Sequence, residues 1–462
     1  MPKKKTAALG VALAAAATSA AAPALADAKL EIPFVRSTLD NGMTVILHED
    51  HTLPLVTVNI AYKVGSRFER QKRTGFAHLF EHLMFMGTKR VPTKMFDGWM
   101  EAEGGWNNAW TSEDRTTYYD VAPAHALPLL LWMEADRLST LGSDMTLEKL
   151  NAQRDVVRNE RRQTSENEPY GKVELRLPEL MYPVGHPYHH PVIGSHEDLE
   201  SATVDDVKGF FSDWYTPENA SLVIAGDFEP AAVRETIARY FGGIPRKTPP
   251  AAPPASEPRL GRVVRETIPD AVELSKVVIA WHSPKHFGPG DAELDLLAEV
   301  LTNGKASRLY KALVYDKKLA QEVTATQMSG DLSSTFVIEA MARPGVSLDA
   351  LEAAIDAELT RLVKDGVTDQ ELRRAQNQYE TAFVLRLQSL HARASMLNDY
   401  QTALGNPGYV DEDLGRYRKV TQAGLLGQAK STLDLGSRVI LRVVPKEEPA
   451  DKGAKDPLGG RK

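Results

Sequence analysis

Two histidines and a glutamate, His78, Glu81 and His82, stand together in the run TGFAHLFEHLMFMGT, residues 74–88. No proline interrupts the run, and most of its residues favour a helix. On a helix, positions four apart share a face, so His78 and His82 project side by side with Glu81 one turn along from His78. The remainder, Phe76, Leu79, Phe80, Leu83, Met84, Phe85 and Met86, is apolar nearly all the way round, the pattern of a buried helix. Two imidazoles and a carboxylate in such a helix are costly without partners, and a metal ion is one partner for both imidazoles at once. The spacing is that of a zinc-peptidase helix, in which the glutamate accepts a proton from the attacking water.

A third ligand must come from elsewhere. The chain has no cysteine, so only histidine and carboxylate are available, and there is no disulfide framework. Residues 146–168 read as a helix on which Leu150, Gln153, Val156, Val157 and Glu160 share one side, while Arg158, Arg161 and Arg162 share the other. A carboxylate on the apolar side wants a positive partner, and helix phase alone leaves a metal and a neighbouring arginine both open. Glu166 and Glu168 fall in a polar end that reads as solvated. His186, His189, His190 and His196 cluster in and beside the loop GHPYHHPVIG, residues 185–194. That loop holds two prolines and no helical spacing, so packing or surface roles are expected of these histidines. No Gly-rich phosphate loop and no G-x-S-x-G motif is present.

The elements that must position these groups follow from periodicity and turn chemistry. Asp40-Asn41-Gly42 is a hairpin signal between strands at 34–39 and 43–48. A third strand covers 55–64, a second helix 93–102, and the aromatic and β-branched stretch 106–121 a strand or strand pair. Helices are expected at 124–141, 201–214 and 230–241, with a buried strand at 220–225 and irregular chain from Leu177 to the His-rich loop. Residues 244–259, IPRKTPPAAPPASEPR, have no hydrophobic period and read as an extended linker. Beyond it the outline repeats: strands at 276–281, 322–328 and 335–342, and helices at 292–301, 348–364 and 369–390. Residues 420–444 share with 203–227 a helix, a short turn and a terminal buried strand, which implies duplication.

Length and composition bound the rest. A chain of 462 residues exceeds one ordinary core. Lys3, Lys4 and Lys5, an Ala-rich segment at 7–22 and Ala24-Leu25-Ala26 read as a secretory signal cleaved near Ala26. That segment is too short and Ala-rich for a membrane span, and the absence of cysteine suits an oxidising compartment such as the periplasm. A formal net charge of −7 without a basic tract argues against nucleic acid as a partner. Residues 446–462 are charged and contain Gly and Pro, a disordered composition.

The metal helix, the strand Asn108-Ala109-Trp110-Thr111, the stretch RDVVRNERRQTSENE at 154–168 and the linked similar halves resemble the pitrilysin or insulinase family of zinc metallopeptidases. This family includes the mitochondrial processing peptidase and many bacterial relatives, and the likeness covers nearly all of the chain after the leader. The resemblance implies an α+β fold of two homologous α/β-sandwich halves, each a mainly antiparallel sheet packed with helices. The implied boundaries are a signal peptide at 1–26, a zinc-binding peptidase domain at 27–243, a linker at 244–262, a homologous domain without metal at 263–445 and a tail at 446–462. It implies one Zn2+ per chain on His78, His82 and Glu160, with Glu81 as general base. It implies that a peptide or unfolded segment is held as an added strand along Asn108, Ala109, Trp110 and Thr111, with Asn108 the side chain that touches it. Two departures stand out. Gln153 occupies a position where relatives often carry a glutamate, so an uncharged amide lies beside the ligands. In LVYDKKLAQEV, residues 313–323, Val314 and Gln321 replace an Arg and a Tyr that contact substrate in relatives. The resemblance therefore implies a heterodimer whose homologous second subunit supplies that pair, with a homodimer as the alternative. The expected activity is that of a periplasmic zinc endopeptidase; the competing reading is a non-catalytic scaffold or binding subunit.

Overall fold

A computed structural model of the chain describes residues 29–446. The expected signal peptide, and the tail after residue 446, lie outside the described residues.

The first half runs β1 (Val35–Thr38), β2 (Thr44–Glu49), β3 (Leu55–Tyr62), α1 (Phe76–Leu83), α2 (Met95–Ala102), β4 (Trp106–Thr111), β5 (Thr116–Pro123), α3 (Leu127–Asp144), α4 (Leu147–Arg161), α5 (Lys172–Met181), α6 (His196–Ser201), α7 (Val204–Trp214), β6 (Ala220–Gly226) and α8 (Pro230–Phe241). Its strands form one sheet in the order β1-β2-β6-β3-β5-β4, with only the β2–β6 pair parallel. The second half runs β7 (Val263–Asp270), β8 (Lys276–Ser283), α9 (Asp291–Thr302), β9 (Ala320–Met328), β10 (Ser334–Ala342), α10 (Leu348–Asp365), α11 (Asp369–Arg386), α12 (Leu390–Leu404), α13 (Val410–Arg418), α14 (Gln422–Thr432) and β11 (Arg438–Pro445). Its sheet has the order β7-β11-β8-β10-β9, with β7–β11 parallel. Strand for strand, β2-β6-β3-β5-β4 and β7-β11-β8-β10-β9 match in order and direction, and five helices separate the last two strands of each half. Residues 245–262 between them form neither helix nor strand.

Each sheet packs its own helices on one face. In the first, Val56, Val58, Ile60 and Tyr62 of β3 meet Leu79, Phe80 and Leu83 of α1 and Leu130, Leu131 and Leu138 of α3. In the second, Val277, Ile279 and Trp281 of β8 meet Leu294, Leu297 and Leu301 of α9 and Leu351, Ile355 and Leu359 of α10. The opposite faces are covered reciprocally. Phe383, Leu397, Tyr400 and Leu414 of the second half lie on Ile46, Val223 and Ala225 of the first sheet. Val173, Leu177 and Met181 of α5 lie on Val278, Ala280, Val439 and Leu441 of the second. Apolar faces on both sides explain the near-continuous hydrophobic runs of the central strands. Polar bonds fix the exchange: Asn398 Nδ2 donates to Asn59 Oδ1 (2.6 Å), and Arg115 pairs with Asp399 (3.0 Å).

Several local expectations needed correction. The metal helix is shorter than its apolar run: Gly75, at φ +85°, starts it, and i→i+3 bonds from Phe85 and Met86 close it before Gly87. Chain expected to be irregular from Leu177 belongs to α5, which keeps its course through Pro178 because its apolar stripe is buried on the second sheet. The helix expected to end at residue 390 stops at Arg386, and Ser389 caps a new one, α12. β7 has no hydrophobic signature in the sequence, because half of its alternating residues are polar and it sits at a sheet edge. Val156, expected on the packed side of α4, is 45% exposed, whereas Leu150 and Val157 are buried.

Candidate metal centre

α1 and α4 bring three side chains together. His78 Nε2 and His82 Nε2 are 3.3 Å apart, and Glu160 reaches both, Oε1 at 3.6 Å from His78 and Oε2 at 3.2 Å from His82. The three ligand atoms lie within 4.8 Å of one another, the one such group among the described residues. The arginines beside Glu160 are engaged elsewhere: Arg161 with Glu166 (2.9 Å), Arg162 with Asn159 (2.7 Å) and Arg158 with His196 (3.5 Å). Glu166, expected to be solvated, is thereby held by Arg161 and also by His196 (2.9 Å).

Electrostatics suit a cation. Burial, and then the neighbouring His82, pull the His78 imidazole down to about 4, so it is a neutral base at pH 7. The His82 contact, with His78 and His82 both adding Coulombic pull, holds the Glu160 carboxyl below the usual range against its burial. Two nitrogens and one carboxylate converge without a lysine or arginine among their ion-pair partners in the described residues. That donor set fits a zinc-type divalent ion with an open position for water.

Glu81 lies on the same helix and meets the sheet edge. Its Oε2 accepts from Thr111 Oγ1 at 2.5 Å. Burial pushes the Glu81 carboxyl up, and the Thr111 bond pulls against it. Thr111 ends β4, which is an edge strand. Ser112 N–H donates to Arg115 O (2.9 Å) across the β4–β5 turn. Counting back by twos, Trp110 and Asn108 bond to β5, while Thr111, Ala109 and Asn107 turn their N–H and C=O groups to the open edge. The side chains divide as well. Asn107, Ala109 and Thr111 are half-buried on the α1 side, and Trp106, Asn108 and Trp110 are exposed on the other. Asn108 thus faces away from the ligands, and its Oδ1 accepts from Ala109 N–H (2.8 Å), occupying a donor that the open edge would otherwise present. Gln153 turns its amide to Met86 Sδ (2.7 Å). Val314 and Gln321 lie in the second half, Val314 half-buried with its carbonyl held by Arg343 (3.2 Å) and Gln321 exposed at the start of β9.

The supports of α1 were not legible beforehand. Gly75 at its N-cap offers no side chain, and Glu69, completely buried, accepts from Gly75 N–H (2.9 Å) and Ala77 N–H (2.7 Å) instead. Asp198 Oδ2 accepts from Thr74 N–H (3.1 Å) and Oγ1 (2.6 Å). Gly194 at the end of the His-rich loop packs against this start so closely that a Cβ there would lie 2.4 Å from Gly75 Cα. The loop's histidines work in packing: His186 stacks on Tyr182, His189 Nδ1 meets Tyr182 O (2.7 Å) and His190 Nδ1 lies 3.7 Å from Glu69. No local pattern points to Glu69, which lies six residues ahead of the glycine cap and meets α1 only through the fold.

The sequence pattern described as insulinase, peptidase family M16, matches residues 44–190, and that of the peptidase M16 inactive domain matches residues 201–379. A zinc protease of Helicobacter pylori, PqqE, is 31% identical over 367 residues, spanning 79% of this chain and 82% of the relative. The chain belongs to the insulinase family, M16. The uncharacterized zinc protease YmxG of Bacillus subtilis is 25% identical over 398 residues, spanning 86% of this chain and 94% of YmxG. The crystal structure of a protease from Helicobacter pylori superposes with a TM-score of 0.84 at 28% identity, covering 90% of this chain and all of that one. In M16 terms, α1, β4 and α4 lie inside the insulinase match, and strands β7 to β10 lie inside the inactive-domain match. No helix of the described residues is long and apolar enough to cross a membrane.

Proposed function

We propose that this M16 chain is a zinc-dependent endopeptidase that cleaves peptides or unfolded protein segments, with a peptidase domain at 27–243 and a homologous domain without metal at 263–445. The observation that carries the reading is the convergence of His78, His82 and Glu160 beside a glutamate hydrogen-bonded to an open strand edge. His78 Nε2, His82 Nε2 and a Glu160 oxygen would hold the ion. When bound, zinc supplies Lewis-acid activation of a water and of the scissile carbonyl. Glu81 accepts the proton of the attacking water at its carboxylate and passes it to the leaving amine, a contribution of about 10²–10⁴ in rate. Thr111 keeps that carboxylate turned toward the edge. The N–H and C=O groups of Asn107, Ala109 and Thr111 pair with an extended peptide, which selects unfolded over folded substrate. Asn108 releases the Ala109 N–H as the peptide arrives.

Val314 and Gln321 stand where the resemblance implies an Arg and a Tyr. A homologous subunit that supplies Arg and Tyr completes the site, since loss of one such donor costs about 10²–10³ in rate. The leader reading places the mature chain in the periplasm. The experiment is metal analysis together with Glu81→Gln. The expected result is one zinc per chain in both proteins and loss of peptide cleavage in the variant with its fold kept. Cleavage undiminished by Glu81→Gln would sink the mechanism. An active chain that stays a homodimer by light scattering, with nothing gained from its paralogue, would remove the shared-site idea.

A further inference from the structure

Four of the six tryptophans are buried or half-buried, and the two exposed ones share one face of β4. Trp106 is 50% exposed and Trp110 37%. Exposed indoles are uncommon enough to ask what covers them. Trp106 is propped edge-on against Tyr119 (5.8 Å) and His391 (6.1 Å), and Trp110 carries the Arg115 guanidinium over its ring (5.1 Å). Both rings are therefore braced from within the protein while keeping an open side. Asn108 stands midway between them, its carboxamide folded onto the Ala109 N–H.

We infer that Trp106 and Trp110 wall a side-chain subsite on the face of the β4 edge opposite the metal ligands, which takes a bulky uncharged apolar or aromatic residue of the peptide. This rests on the reading of β4 as the strand that receives substrate. Side chains of a paired strand fall on the same face as the residues opposite them, and a diagonal neighbour about 7–8 Å away is within reach of an aromatic ring. The peptide residue opposite Asn108 therefore lies between the two indoles, over the smallest side chain of the three. Its neighbours on the peptide point the other way, toward Glu81 and the ligands. Asn108 is three positions from Thr111, so the selected residue lies within roughly three residues of the cleaved bond. A cation is disfavoured because Arg115 already occupies the cation–π position on Trp110. Partial burial of a Phe or Leu rather than Ala corresponds to about tenfold in selectivity.

The test uses the full-length zinc-loaded chain, alone and with its homologous subunit, and a positional peptide library read by mass spectrometry. The parent is expected to favour Phe or Leu over Ala by about tenfold at one position near the cleaved bond. Trp106→Ala and Trp110→Ala flatten that preference, Trp110→Phe restores most of it, and the preference at the adjacent position, which faces Glu81, persists. A parent without any such preference, or a preference intact in both alanine variants, overturns the subsite. So does an effect of the variants confined to subunit mass, which would assign the indoles to a partner subunit. The same library binding to Glu81→Gln, followed by anisotropy, separates this proposal from the catalytic one. Selective binding lost in the tryptophan variants, with no cleavage by the parent even when its homologous subunit is added, keeps the subsite and removes the endopeptidase. Absence of both binding and cleavage overturns the two together.

Discussion

The two halves share one topology and fill its equivalent place with opposite chemistry. In each, a helix follows the second central strand, presents two titratable groups four positions apart and meets a polar side chain from the edge strand. In the first half these are His78, His82 and, beside them, the Glu81–Thr111 contact with β4. In the second they are Asp291 and Asp295 of α9, with Gln327 of β9 donating to Asp291 (2.8 Å) and Asp295 (3.3 Å). The second cluster is complete in itself. Arg416 pairs with Asp291 (2.9 Å) and Asp413 (2.7 Å), and Tyr417 OH donates to Asp295 (2.7 Å). The first has donors that converge and no guanidinium among them. A buried acid needs a cation; one half provides it from α13, and on the proposed function the other leaves the position to an ion from outside. On the proposed function, the difference between a metal centre and a structural ion-pair cluster is one arginine and the side chains of one helix turn, on an unchanged scaffold.

The largest expected effect comes from making the first half incomplete. His78→Ala or Glu160→Gln should lower bound zinc from one per chain toward none and peptide cleavage by more than about 10³-fold. Inductively coupled plasma analysis after dialysis, with circular dichroism for the fold, reads this. The mirror change, Asp295→Asn, should leave zinc content unaltered. Zinc lost equally from both variants would mean that the halves are not independent in this respect.

A smaller effect is expected at the start of α1. Glu69→Ala removes the acceptor of two helix N–H groups in a buried place, which should cost about 1–3 kcal/mol of stability. Because α1 carries both imidazoles, zinc affinity should fall about 10–100-fold, as for other groups that orient ligands. Competition with a chelator measures the affinity and chemical denaturation the stability, and Glu69→Gln, which keeps one acceptor oxygen, should recover part of both. Destabilisation with zinc affinity unchanged would make Glu69 a cap alone.

Much of this was readable in the sequence because it rests on local period and turn chemistry. The hairpin at Asp40-Asn41-Gly42, helix α8 and the buried strand β6 all announce themselves in this way. Glu160 was readable only in part. Helix phase marked it as misplaced among packing residues, but an arginine partner was as good an explanation until α4 was seen to cross α1. What the sequence did not disclose depends on contacts between distant segments. Glu69 is an ordinary loop acid until Gly75 folds onto it, and Pro178 ends a helix on local grounds that burial on the second sheet overrides. The direction of Asn108 is a further case. Motif position identifies the strand, but a one-residue change of phase reverses which side chains meet the site. Only the pairing with β5 and the Thr111–Glu81 bond set that phase.

The smallest effect lies in the second half, and it separates the two clusters by their dependence on pH. Burial, with Asp291 adding to it, pushes the Asp295 carboxyl up to about 7, while Tyr417 and Arg416 pull it down and Asp413 opposes them. The groups facing it are Asp291, Gln327, Tyr417 and, through Asp291, Arg416. In the unfolded chain the same acid titrates near an ordinary value of about 4. Between about pH 4 and pH 7 the folded state therefore holds a proton that the unfolded state has released, and stability falls as pH rises through that window. Asp295→Asn keeps an acceptor for Tyr417 and cannot ionise. Its stability relative to the parent should rise across the window and level off above it. Paired urea denaturations at pH 5, 6, 7 and 8 would show this, and a variant that tracks the parent at every pH would mean that Arg416 holds Asp295 ionised throughout. In that case the second cluster carries one further negative charge, and the contrast between the halves would lie in the geometry of their ligand atoms and not in their charge.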